Sequence, residues 1–152
     1  MRRKDKEITR RDEIEAIIRQ ASVCRLAMVD DGRPYLVPLC FGYEDETLYF
    51  HSAGEGRKLA VLRRNPAVCF EFEGPVEVKR GEDLCSWGMR FQSVIGSGRA
   101  SFIETPEAKR HALAVIVRQY GADGPWTFAD TPLARTVVFK VEIQELTGKQ
   151  AG

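Results

Sequence analysis

A mainly β fold, a small antiparallel barrel with a few peripheral helices, is what the sequence predicts, and three observations carry it. Apolar and polar residues alternate with period two: Val68, Phe70 and Phe72 against Cys69, Glu71 and Glu73, and Val137, Phe139, Val141 and Ile143 against Val138, Lys140, Glu142 and Gln144. Hairpin turns follow at short intervals, at Asp31-Gly32 and at Glu44-Asp45-Glu46. Helical spacing is confined to a few segments, which favours a barrel over a doubly wound sheet.

Taken in order, Thr9 is placed to cap a helix that runs to about residue 21, with Asp12 as the capping-box acid and Ile14, Ile17 and Ile18 on one face. Residues 24–29 read as a strand, 35–43 as its hairpin partner and 47–51 as a third strand, so that three strands come as a meander. Residues 57–64 read as a short helix, ended by Asn65-Pro66. The alternating strand around residue 70 follows, then a polar loop over 74–86. In the run 91–103, Gly96 and Gly98 predict a kinked strand, with a bulge or a close approach by a ligand or another backbone. Thr105-Pro106-Glu107 starts a helix to about Tyr120, where Gly121 stops it. A loop through Trp126 and Pro132 leads to a last strand over 136–146 with one face in the core.

The 152 residues, 43% of them hydrophobic, suit a single domain over 1–152 with a real core. Because 23 Lys and Arg stand against 22 Asp and Glu, the net charge of +1 gives no reason to expect nucleic acid or an anionic membrane surface as a partner. Arg2-Arg3-Lys4 reads as a frayed terminus. No apolar run reaches the length of a membrane span or a signal-peptide core, so a soluble, cytoplasmic protein is expected. Cys24, Cys40, Cys69 and Cys85 form no close pair and read as buried thiols. With two histidines that provide no close pair either, they predict no metal site.

The stretch Tyr49-Phe50-His51-Ser52-Ala53-Gly54-Glu55-Gly56-Arg57-Lys58 carries the chemistry. An apolar strand breaks into hydroxyl and glycine residues and then into two cations at the start of a helix. A dianionic phosphate needs such converging donors: the His51 imidazole, the Ser52 hydroxyl, freed backbone N–H groups, a helix N-terminus and the charges of Arg57 and Lys58. The same spacing also suits an ordinary strand–turn–helix with solvated cations.

These residues, with Arg25-Leu26-Ala27, Val37-Pro38-Leu39, Asn65-Pro66, Ser93-Val94-Ile95-Gly96-Ser97-Gly98 and Thr147-Gly148-Lys149, give the chain a resemblance to the pyridoxamine 5'-phosphate oxidase-like flavoproteins, more closely to their nitroimidazole-resistance branch. The resemblance covers nearly the whole chain. It implies a split β-barrel that forms a homodimer and binds FMN in two equivalent clefts between subunits. It places Val37, Pro38 and Leu39 along the isoalloxazine ring, His51, Ser52, Arg57 and Lys58 on the ribityl phosphate, and Ser93 with Gln92 against the flavin from the kinked strand. His51 is also the candidate catalytic residue. The oxidases proper carry a C-terminal motif with arginine and histidine that grips substrate, and this chain ends instead in Val141-Glu142-Ile143-Gln144-Glu145-Leu146-Thr147-Gly148-Lys149-Gln150-Ala151-Gly152. The expected activity is therefore flavin-dependent reduction of a small acceptor such as a nitro compound. The alternative is a non-catalytic flavin-, deazaflavin- or haem-binding protein of the same fold.

Overall fold

The computed structural model describes residues 3–152. Its elements are β1 (Glu7–Ile8), α1 (Arg11–Gln20), β2 (Cys24–Asp30), β3 (Arg33–Leu39), β4 (Gly42–Glu44), β5 (Thr47–Ser52), α2 (Arg57–Arg64), β6 (Ala67–Glu73), β7 (Glu77–Lys79), β8 (Gly88–Ile103), α3 (Pro106–Gln119), α4 (Asp130–Arg135) and β9 (Val137–Ala151). The main sheet is antiparallel in the order β3-β2-β6-β8-β9-β5-β4. Its two outermost strands, β3 and β4, are consecutive in the chain, so the barrel is closed by the covalent corner at Cys40-Phe41.

That corner corrects the expected meander. Residues 35–43 form two strands, because the chain leaves β2 after Leu39 and then pairs with β5 from Gly42. Phe41 turns fully into the core and gives its N–H to the Tyr120 hydroxyl at 3.0 Å. A Cβ on Gly42 would lie 2.6 Å from the Ile116 nitrogen, so only glycine lets α3 approach so closely. Both flanking turns are as expected, with positive φ at Asp31 and Gly32 (49° and 75°) and at Asp45 and Glu46 (47° and 58°).

Long strands β8 and β9 form the spine, with a register slip between Ser97 and Gly98. The glycines serve protein neighbours. A Cβ on Gly96 would sit 2.4 Å from the Phe70 ring, and one on Gly98 would sit 2.4 Å from the Glu142 carbonyl oxygen. Since a strand carbonyl cannot retreat without breaking the ladder, Gly98→Ala is expected to destabilise the fold by about 1–3 kcal/mol, read as a lower urea midpoint with an unchanged slope.

Inside the barrel, Phe41, Phe50, Phe70, Phe72 and Phe139 are fully buried, with Phe50 stacked on Phe139 at 5.0 Å between centroids. The alternation of β6 is as expected, with Val68, Phe70 and Phe72 inward. Helix α1 packs against β6 and β8 through Ile14, Ile17 and Ile18, and α2 packs against β2 and brings Leu59, Val61 and Leu62 into the same core. Helix α3 lies over β4, β5 and β9. Ala112, Val115 and Ile116 are its buried residues, and α3 lies across β9, where Val138 is buried although it points away from Phe139 and Val141.

Several expectations need correction. Thr9 does not cap α1: Arg10 holds the cap position without a side-chain bond to the helix backbone, its guanidinium paired with the Asp12 carboxylate instead. The helix's last carbonyls are met from α3 and the residue after it, by the Gln119 amide on the oxygens of Ile18, Arg19 and Ala21 and by the Tyr120 hydroxyl on that of Ser22. Lys4–Lys6 forms a 3-10 turn that leads into β1, while Arg2 lies outside the described residues. The loop 74–86 contains β7, and the loop before the last strand contains α4, whose Pro132 sits in the first turn where proline is tolerated. Strand β9 continues to Ala151 because pairing with β8 holds the polar residues 144–150 in the ladder. Of the cysteines only Cys24 is buried; Cys40, Cys69 and Cys85 are exposed, Cys69 on the outer face opposite Ala27. No helix among the described residues is long and apolar enough to cross a membrane.

Candidate functional site

The barrel is split along one side. Strand β3 pairs only with β2, and the pairing of β4 with β5 stops at Tyr49, which leaves one edge of β3 and one edge of Phe50, His51 and Ser52 without strand partners among the described residues. Two prolines on β3, Pro34 and Pro38, suit such an edge, because they have no N–H to give to a ladder. Val37 and Leu39 are half-buried with their side chains toward the core, while Pro38 is exposed on the outer face.

Strand alternation separates the next two candidates. Ser52 shares the inner face with Leu48 and Phe50 and lies opposite Val137, whereas His51 points outward opposite Val138 and is exposed. After Ser52 the chain turns through Gly54 and Gly56, and Gly56, at φ 139°, takes the cap position of α2 without a side-chain bond to the helix. The first N–H groups of α2 therefore stand free beside the split.

Both cations at the start of α2 lie there, in different states. Arg57 is engaged, donating to Asp30 at 2.9 Å and stacking 4.3 Å from the centroid of Tyr35 on β3. Arg64, one helix length on, takes the other oxygen of the same carboxylate. Lys58 is half-buried, its ammonium 6.0 Å from the centroid of the buried Phe139 ring, and it has no acidic partner among the described residues. Burial pushes its pKa down, because a partly dehydrated ammonium is a less favourable charge. Asp30 went unnoticed in the sequence because it reads only as the residue before a hairpin turn.

The bond from Arg57, with Arg64 beside it, holds the Asp30 carboxyl below the usual carboxylate range. A depressed carboxylate stabilises the fold above its unfolded pKa, and that contribution is lost as pH falls through the folded value. Asp30→Asn is therefore expected to lower stability near pH 7 and to flatten the acid side of the stability profile, read by urea unfolding at about pH 7 and about pH 3.

Gln92 and Ser93 stand apart from His51, Ser52, Arg57 and Lys58. Ser93 pairs with Glu73 and Lys149, and the Gln92 amide reaches only that of Gln150, at 3.5 Å. On the same strand Ile103 pairs with Val138, the partner of His51, so Ser93 lies ten residues, about 30 Å of strand, from the His51 end. One chain places Ser52 at the end of β5 and Arg57 and Lys58 at the start of α2, with Arg57 stacked on Tyr35 of β3, the strand that carries Val37, Pro38 and Leu39, and with His51 on the reverse side of the β5 edge.

The sequence did not reveal a further feature, the uncovered outer face of β3, β2, β6 and β8. Leu36, Val29 and Ile95 are 56%, 48% and 50% exposed there, around the ion pairs of Arg25 with Glu71 (2.8 Å) and Glu73 (3.3 Å).

A family model described as pyridoxamine 5'-phosphate oxidase matches residues 10–150. The chain is similar to a candidate 5-nitroimidazole antibiotic resistance protein of Bacteroides thetaiotaomicron, with 39% identity over 95% of this chain and 86% of that one and a TM-score of 0.86. It is also similar to a FAD-binding protein of Mesorhizobium loti, with 26% identity over 94% and 96% of the two chains and a TM-score of 0.68. A FAD- and haem-binding protein of Mycobacterium smegmatis shares the fold at 20% identity, over 96% of this chain and 73% of that one, with a TM-score of 0.85.

Proposed function

Because the chain belongs to the pyridoxamine 5'-phosphate oxidase family, we propose that it is a flavoprotein that binds FMN in the β3–β5 split and acts, as a homodimer, as a reductase of a small acceptor such as a nitro compound. The observation that carries this reading is Lys58, a half-buried ammonium without a carboxylate partner among the described residues, beside a free helix N-terminus and two open strand edges. That donor set fits a dianionic phosphate with a flat ring beside it. Lys58, the Ser52 hydroxyl and the N–H groups of α2 hold the phosphate; Arg57, kept in place by Asp30 and Tyr35, adds positive charge; His51 serves the phosphate and turnover. Backbone groups of Val37, Pro38 and Leu39 meet the polar edge of the ring. Gln92 and Ser93 reach the same flavin from the second copy. When bound, the flavin supplies the redox chemistry, and the protein contributes position, electrostatics and access. A nitro acceptor is favoured by the likeness to the Bacteroides thetaiotaomicron protein.

The outer face with Leu36, Val29 and Ile95 is the surface proposed to meet the second copy, because an apolar face of this kind is costly to leave in water. Light scattering at low micromolar concentration is expected to give twice the 17.2 kDa chain mass, and Leu36→Asp with Ile95→Asp to give the single-chain mass with loss of flavin. Steady oxidation of a reduced nicotinamide by the FMN-loaded dimer in the presence of a 5-nitroimidazole tests the activity. Bound FMN that never turns over with such acceptors defeats the reductase reading while leaving flavin binding intact.

A further inference from the structure

Half of the exposed large apolar side chains among the described residues, Val76, Val78, Leu84, Trp87 and Met89, belong to one short segment that runs from the end of β6 into the start of β8. Leu84 is 87% exposed, and the other four are each about half exposed. Such a density of bare apolar surface needs a cover. The segment is nonetheless built: β7 pairs with the start of β8, Glu77 opposite Arg90 and Lys79 opposite Gly88. At its tip, Asp83 and Ser86 exchange bonds, the Ser86 N–H on the Asp83 carboxylate at 2.9 Å and the Ser86 hydroxyl on the Asp83 carbonyl at 2.8 Å. The Arg80 guanidinium stands 5.9 Å from the centroid of Trp87. An ordered arm therefore projects from the sheet with an indole near its tip.

Its root identifies what it covers. The arm runs directly into Gln92 and Ser93, which lie too far from the phosphate cradle of their own chain to share a ligand with it. If those two residues serve the flavin of a second copy, as the proposed function requires, the arm beside them is carried to the same cleft. We propose that the arm 74–89 of one protomer closes over the flavin cleft of the other, with Trp87 as the aromatic wall that selects flat acceptors. Trp87 is thus a specificity-determining residue acting across the interface, and its broad ring matches a planar substrate lying parallel to a flavin. The proposal rests on the FMN-binding dimer argued above.

The test uses the full chain and FMN itself. Trp126→Phe leaves Trp87 as the single tryptophan. On saturation with FMN its emission is expected to fall about tenfold or more, because an indole beside a flavin returns little light. Direction of action comes from mixed dimers. One chain carries Trp126→Phe and Lys58→Ala, and so keeps Trp87 but has a weakened cradle; the other carries Trp87→Phe and Trp126→Phe, and so keeps its cradle but has no tryptophan; FMN is held at a concentration that fills the intact cradle and leaves the weakened one empty. Loss of Trp87 emission in the mixed dimer supports action across the interface. Emission lost in the Trp126→Phe homodimer but kept in the mixed dimer overturns it, since the arm then serves its own chain. Unchanged emission in a dimer that binds FMN, as followed by the flavin's own fluorescence, overturns the arm's role and leaves the FMN reading standing. A protein that neither dimerises nor takes up FMN overturns that reading, and the arm's role with it.

Discussion

Lys58→Ala is expected to weaken FMN binding by about 1.5–3 kcal/mol and to leave riboflavin binding nearly unchanged. The asymmetry follows from where the ammonium sits. It is half-buried, its pKa is lowered by burial, and it has no carboxylate to satisfy among the described residues, so a phosphate dianion recovers interaction that water no longer gives in full. Riboflavin has the same ring and ribityl chain without the phosphate and isolates that contact. Fluorescence titration with both ligands measures the difference, and equal losses for the two, or none, place the phosphate elsewhere. His51→Ala separates the two tasks assigned to His51: lost affinity with normal turnover of bound flavin marks a cradle residue, and retained affinity with lost turnover marks a catalytic one.

Phe139→Ala is expected to destabilise the protein by about 3–5 kcal/mol, near the upper end for a core truncation. Phe139 has no exposed surface, stacks on Phe50 at 5.0 Å, and lies 6.2 Å from Phe102 between centroids. A rigid barrel wall cannot collapse into the space that the lost ring leaves. The same ring stands beside the Lys58 ammonium, so surviving Phe139→Ala protein is also expected to bind FMN more weakly than its residual folded fraction explains. Urea unfolding with and without FMN separates the two effects, because bound ligand stabilises only the folded form.

Much of this fold is written locally. Helix α2 has the bounds its punctuation predicts, Gly56 before it and Asn65-Pro66 after it, and β6 buries the three residues its alternation marks. What stayed hidden depends on partners far along the chain. The corner at Phe41 is held by Tyr120, 79 residues away, and within the run 35–43 only Pro38 and Gly42 interrupt the strand pattern. Burial of Val138 on the outward face goes with the packing of α3 across β9, which a period-two pattern does not encode. At the site, the adjacent letters His51 and Ser52 suggested one cradle, yet a strand turns neighbours to opposite faces. Arg57 looked like a free phosphate ligand until Asp30, 27 residues earlier, was found holding it. Likewise, only the strand register shows that Gln92 and Ser93 lie far from His51 and Ser52.

The most direct test of a flavin held in the β3–β5 split and shared between two copies is titration of the purified protein with FMN, with its mass followed by light scattering in the same samples. The account predicts saturation at one FMN per chain on a particle of twice 17.2 kDa, with the bound chromophore released as intact FMN on denaturation. A colourless 17.2 kDa monomer that leaves the spectrum and fluorescence of added FMN unchanged would contradict it.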